Sequence, residues 1–215
     1  MQLKGDLEGA VAEFKEVLRL EPNNSFGRLN LPRAERMHSL LVRLPDVLAG
    51  KTQPQSTEEA CAFADLCGQP FQGRYAASVR LYEGAFAADP KLAADLNAGH
   101  RFDAARCAVQ AAVGEGIDSP AEAAARTALR QKALAWLRAD LALWQKQAVA
   151  ANAAGRSGAS AKLSAWLQES DMAGVREPDP LTKLPDVERA EWAKLWADVK
   201  ATLAEARKPA APAGK

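Results

Sequence analysis

No apolar run in the 215-residue chain approaches the roughly 18 residues needed to span a bilayer. Lys4, Asp6 and Glu8 interrupt the apolar core that an N-terminal signal peptide would need. Charge of one sign is not in excess: 28 Lys and Arg stand against 27 Asp and Glu. That balance argues against the clustered basic footprint of a nucleic-acid binder. Histidine occurs only at His38 and His100, so no Ser-His-Asp or Cys-His nucleophile arrangement can be assembled with any specificity. The three cysteines, Cys61, Cys67 and Cys107, form no CxxC pair and no zinc-ligand spacing. Their odd number and the lack of a leader point to reduced, buried thiols in a cytoplasmic setting. Alternating runs of Val, Ile and Thr are missing too, which leaves an all-α chain as the expectation.

What is present is a repeat. Gly73 to Pro90 reads Gly-Arg-Tyr-Ala-Ala-Ser-Val-Arg-Leu-Tyr-Glu-Gly-Ala-Phe-Ala-Ala-Asp-Pro, and Gly5 to Pro22 is a near-copy. Gly5 matches Gly73, Phe14 matches Tyr82, Val17 matches Ala85 and Pro22 matches Pro90. Each pair lies 68 positions apart (73 − 5 and 90 − 22), twice the 34-residue tetratricopeptide period. Val79, Tyr82, Ala85 and Phe86 fall on one helical face. Small Ala85 admits a close neighbour, and Tyr82 fills the gap between paired helices. Gly73 is expected to end the preceding helix, and Pro90 cannot continue one.

Along the chain, residues 1–24 read as a partial repeat, second helix only; either the chain is cut from something longer, the reading favoured, or later helices fold back to cap the exposed face. Residues 25–55 read as a degenerate repeat or connector. Pro32 is expected to open one helix and Pro45 a second that Gly50 closes, with Arg33, Glu35 and Arg36 toward solvent. The 34-residue frame puts Ser39 at the glycine position here and Leu48 at the aromatic one. Residues 56–116 read as a helical hairpin and a following helix, opened by the capping box Ser56-Thr-Glu-Glu59. Lys91 to Val113 is expected to be helical throughout, ended by Gly114 and Gly116.

Residues 117–207 form a C-terminal helical extension. Ser119-Pro-Ala-Glu122 is expected to cap and open the longest helix, to about Ala150. Leu129, Ala133, Trp136, Leu137, Leu141, Trp144 and Ala148 make its apolar stripe, with Arg130, Arg138, Asp140 and Lys146 opposite. Asn152 to Ser160 is expected to be a mobile loop, and Pro178 to Pro185 a turn-rich link. Trp192, Leu195, Trp196, Val199 and Leu203 are the buried face of a last helix, Asp186 to Arg207. Residues 208–215 read as a disordered tail.

The blocks Phe63-Ala-Asp-Leu-Cys67, Arg74-Tyr-Ala-Ala77, Ala85-Phe-Ala-Ala-Asp-Pro-Lys-Leu92, Ala98-Gly-His-Arg101, Leu134-Ala-Trp-Leu-Arg-Ala-Asp-Leu141 and Lys194-Leu-Trp-Ala-Asp-Val199 together carry a resemblance. So does Asp171-Met-Ala-Gly-Val-Arg176. From Met1 to about Arg207 the chain resembles the C-terminal tetratricopeptide (TPR) region of planctomycete serine/threonine protein kinases. That region usually reads Tyr-Asn-Ala-Ala-Cys where this chain has Phe102-Asp-Ala-Ala-Arg106, and Cys107 follows one place later. The resemblance implies a sensor or scaffold arm following a kinase domain.

Kinase chemistry itself finds no support in these residues. His100-Arg101-Phe102-Asp103 lacks an Asp directly after Arg, and Asp-Phe-Gly is absent. Gly155 to Ser164 lacks the Gly-Lys-Ser order of a phosphate loop. No catalytic residue, cofactor or metal is called for. The expectation is a TPR-like array of helical hairpins, an α-solenoid with a C-terminal extension. It would bind a protein or peptide and neither nucleic acid nor membrane. Arg74, Arg80, His100 and Arg101 are the residues that could line its concave groove. The five tryptophans, all at or beyond Trp136, are expected in the core rather than on a binding surface.

Overall fold

In a computed structural model, residues 6–150 and 152–208 are described, and among them every regular element is helical. The first two helices are α1 (Leu7–Leu20) and α2 (Ser25–Leu48). The hairpin α3 (Thr57–Cys67) and α4 (Tyr75–Ala88) comes next, then short α5 (Pro90–Ala94) and α6 (His100–Val113). The long α7 (Ala123–Ala148) leads to α8 (Ala153–Gln168) and a 3₁₀ turn at Ser170–Met172. Last are α9 (Ala173–Arg176), α10 (Pro178–Thr182) and α11 (Asp186–Ala206). Packing follows chain order: α1 on α2, α2 on α3, α3 on α4, α4 on α6, α6 on α7. At the C-terminal end α7, α8 and α11 pack mutually instead. No helix among the described residues is long and apolar enough to cross a membrane.

The repeat face behaves as the spacing predicts. Val79, Tyr82, Ala85 and Phe86 are all buried. Tyr82 stacks on Phe86 with ring centroids 5.5 Å apart, and Phe86 meets Trp136 of α7 edge-on at 6.0 Å. On the second hairpin helix, no side chain of its own caps the N-terminus. Asp118, from the α6–α7 connection, does so instead. Its carboxylate accepts from the Ala76 and Ala77 amides at 3.1 and 2.7 Å, where the helix dipole favours negative charge.

Several boundaries differ from expectation, each for a local reason. Pro32 and Pro45 do not open helices; both lie inside the continuous α2. Each proline removes an amide and crowds the carbonyl four residues back, at about 3 kcal/mol. Both sit on the exposed side, where water can satisfy that carbonyl. Buried Ala34, Leu40, Leu44 and Val47 hold the helix together on the other side. Gly73 does not cap α3, which ends at Cys67. It closes the following turn at φ +57°, and its carbonyl accepts from the Ile117 amide at 2.8 Å. Gly116 (φ +85°) packs so close that a Cβ there would run into that carbonyl oxygen.

Lys91–Val113 is broken between α5 and α6. Asp95 turns the chain by accepting from the Asn97 amide at 2.8 Å, and Gly99 takes φ +75°. Ser119 does not cap α7. Its hydroxyl donates to the Ala111 carbonyl at 2.6 Å, and the helix begins only at Ala123. Ser56 does cap α3, accepting from the Glu59 amide at 3.1 Å, but Glu59 reaches back to the Gln55 amide rather than to that of Ser56.

Asn152–Ser160 is not a loop. Asn152 caps α8 by accepting from the Gly155 amide at 2.6 Å, and Gly155 lets α8 approach α7. A Cβ at Gly155 would come within 2.6 Å of the Gln147 side chain, whereas one at Gly158 would make only ordinary contact with Trp144 at 4.0 Å. Pro178 to Pro185 contains the short α10. All but Lys208 of the expected tail lies outside the described residues.

The core divides by region. One large cluster joins α6, α7, α8 and α11 around Trp144, Trp166, Trp192 and Trp196, all buried, with Trp136 half-buried at its edge. Phe102 stacks on Trp166 at 5.1 Å, and the Trp196 indole N–H donates to the Val175 carbonyl at 2.8 Å. A smaller cluster joins α2 and α3 through Leu40, Leu44, Val47, Phe63 and Leu66.

Candidate functional site

Two depressions share one wall on the face formed by α1, α2, α3 and α6. The shared residue is Asp65 of α3.

The first is a polar cleft of about 300 Å³ between α3, α4 and α6, lined by Asp65, Gln69, Tyr82, Asp103, Arg106 and Cys107. Helical spacing sets it up. Asp103 and Arg106 lie one turn apart on α6, so both project toward α3. The Tyr82 hydroxyl donates to Asp65 in a short contact, and burial together with that carboxylate pushes the phenol well above its usual range. Arg106 donates to Asp171 at 2.7 Å and stands 3.8 Å from Asp103. Burial opposes the Arg106 charge, but the Asp171 hydrogen bond and nearby carboxylates hold its pKa above the usual. Burial raises the Asp103 carboxyl, partly offset by Arg106. The cleft thus presents a fixed cation, a phenol, the Asp65 carboxylate and an Asp103 carboxyl whose ionisation is opposed by burial. Such groups can bind polar partners directionally.

Nucleophilic chemistry is poorly served there. Burial pushes the Cys107 thiol up to about 11, so the reactive thiolate is scarce at neutral pH. Cys61 and Cys67 are buried as well and are pushed to about 11 and about 12 by the same cause. No group of three or more His, Cys, Asp or Glu side chains among the described residues is placed to hold a metal ion.

The second depression is a groove of about 580 Å³ between α1, α2 and α3. Leu7, Phe14, Phe26, Met37, Leu40 and Ala62 line it, with Arg33 and Arg36 on the α2 lip and Glu13 on the α1 lip. Phe14 meets Phe26 edge-on at 5.8 Å, yet Phe26 remains 62% exposed. Apolar surface of this kind, rimmed by charge, is the usual physical mark of an interaction site.

The four residues singled out by sequence are not brought together in one groove. Arg101 is withdrawn into the α6–α7 junction, where its guanidinium lies 2.7 Å from Asp140. Asp140 is therefore buried, not on a solvated face as its position in the sequence suggests, and Arg130 likewise pairs with Glu188 of α11. His100 sits beside the Tyr82 ring at 5.9 Å, with Nδ1 buried and without a hydrogen-bond partner. Arg74 precedes α4 and borders a separate shallow depression with Leu41, Leu44 and Pro45. Arg80 is exposed on α4.

Sequence reasoning missed Asp65, Asp103 and Arg106. A usable signal existed: Asp65 stands in the otherwise apolar run Cys61–Cys67, where a carboxylate on an inward face requires a partner. No known family model, curated protein or solved structure matches this chain.

Proposed function

We propose that the chain is a protein-interaction module built from tetratricopeptide-type helical hairpins, with no chemistry of its own. The observation that carries this reading is the order of packing from α1 to α7, each helix on the next, beside an open face that holds an apolar groove and a polar cleft. Stacked hairpins produce such extended surfaces because each unit contacts only its neighbours. The 68-residue spacing of the two matching helices supports the same architecture. In this reading the apolar side chains supply affinity, and the rim and cleft charges set orientation.

A second reading is that the module is the regulatory C-terminal region of a serine/threonine protein kinase whose catalytic domain lies outside these residues. The sequence blocks that resemble such regions favour it. In both readings the setting is cytoplasmic.

Display selection of a random peptide library on the folded chain tests the binding role. The module reading expects enriched peptides whose binding is lost on substituting residues of the open face. Failure to enrich any peptide would sink it. An antibody against the chain, used on source cells, separates the two readings. A band near 23.0 kDa fits a free-standing module, and a band several times larger fits the kinase tail.

A further inference from the structure

The groove between α1, α2 and α3 has the lining to seat one face of a further helix. The 34-residue frame calls for a hairpin between the two matching helices, with its turn at Ser39. The chain instead runs straight through Ser39 as the single helix α2. The frame would pack two helices here; α2 is one, and beside it lies the open groove of about 580 Å³, which has room for the anchor side chains of a further helix lying on it.

One stripe of α2 carries this signature, exposed at Phe26, Leu29, Arg33 and Arg36 and reaching the buried Leu40 at its far end. Phe26, Leu29, Arg33, Arg36 and Leu40 recur at alternating three- and four-residue steps, the stripe by which one helix faces another. Phe26 and Leu29 are 62% and 63% exposed, so nothing in the described residues covers that end of the stripe.

Charge selects the occupant. Arginines at the other helix junctions are neutralised: Arg43 by Glu59, Arg101 by Asp140, Arg106 by Asp171, Arg130 by Glu188. Among the described residues Arg33 and Arg36 form no ion pair with any carboxylate, Arg36 acting on Glu59 only at longer range, and both border the apolar groove. A second copy paired through the same stripe would set these arginines against their own counterparts, which like charge disfavours. On the other walls, Asp65 is already engaged by Tyr82, and Glu13 stands alone on the α1 lip.

We propose that this slot docks an amphipathic, acidic helix from a partner protein. Large aliphatic or aromatic anchors at i, i+3/i+4 and i+7 would enter between Phe14, Met37 and Leu40, and carboxylates on one flank would meet Arg33 and Arg36. The proposal rests on the interaction-module reading and narrows it to one surface and one partner chemistry.

The test uses a fluorescein-labelled 18-residue helical peptide with leucines at an alternating three- and four-residue spacing and glutamates on one flank. One control replaces the glutamates by lysine, and a second replaces the leucines by alanine. Fluorescence anisotropy with the full chain should show the glutamate peptide binding at least about tenfold more tightly than either control. An Arg33→Glu/Arg36→Glu double variant should reverse the preference toward the lysine peptide. Both side chains are exposed, and circular dichroism confirms that this variant keeps its fold.

Equal binding of the two charged peptides, no binding, or a preference that survives in the double variant would overturn the proposal. So would a dimer in light scattering that Phe26→Glu dissociates, since a second copy would then fill the slot. Library selection separates the two levels of inference. Binders that ignore Arg33 and Arg36 but are lost with Asp103→Asn leave the module standing and remove the slot; no binder at all removes both.

Discussion

The two ends of the molecule are built on opposite plans. In α7, α8 and α11 the large side chains point inward and are consumed: Leu137, Leu163, Trp192 and Val199 are wholly buried. In α1 only Leu7 is buried, while Leu20, Phe26, Leu29 and Val42 of the first hairpin are each more than 60% exposed. Apolar content therefore does not by itself produce a core. Mutual coverage does, and it takes three helices packed on one another, whereas α1 packs chiefly on α2. The C-terminal end covers its apolar side chains, and the N-terminal end leaves several of them exposed.

The sharpest way to break that contrast is truncation of one aromatic in each region. Trp192→Ala should cost about 3–5 kcal/mol of unfolding free energy, because a fully buried indole leaves a cavity that its neighbours fill only in part. Phe14→Ala, at a half-buried groove position, should cost about 1 kcal/mol. Urea denaturation of both variants measures the difference, and equal losses would erase the contrast. Hydrogen exchange sharpens it further. Amides of α1 should exchange on the order of 100-fold faster than those at the centre of α11, since sparsely covered helices open locally at lower free energy.

Between the two ends stands the Asp118 cap on α4. Asp118→Ala should cost about 1–2 kcal/mol, and the loss should show as faster exchange of the Ala76 and Ala77 amides.

The smallest effect expected is pH-linked. Burial raises the Asp140 carboxyl from its ordinary 3.8 to about 6, against the pull of Arg101. A carboxyl raised on folding favours the folded state when protonated. Its contribution is fully present below about pH 3.8 and is lost as pH rises through about 6. Between pH 5 and 7 the loss is roughly 1 kcal/mol. Denaturation at the two pH values should show this slope, and Asp140→Asn should flatten it.

What was legible in the sequence was whatever depended on one helix at a time. The 3.6-residue stripes located the buried faces of α4 and α11, and Ser56 marked the start of α3. Punctuation was read less well because its meaning depends on neighbours. Pro32 and Pro45 read as starts, but packing on α1 and α3 carries α2 through both. Gly155 and Gly158 read as a flexible linker, but both lie inside α8, and Gly155 leaves room for the Gln147 side chain of α7. The site was the least legible part. Arg101 and Asp140 lie 39 positions apart and neutralise each other only once α6 and α7 pack, so neither could be recognised as spent. Arg33 and Arg36 read as ordinary solvated charges, and only the groove beside them gives them meaning.

The tryptophan distribution has a spectroscopic consequence. All five indoles lie at or beyond position 136, so emission excited at about 295 nm, where the two tyrosines hardly absorb, reports on the second half of the chain. Melting of α1 and α2 would leave the emission maximum in place while ellipticity at 222 nm fell. A gap between those two curves is the optical trace of a chain whose halves come apart in turn, and coincident curves are that of a chain unfolding as one.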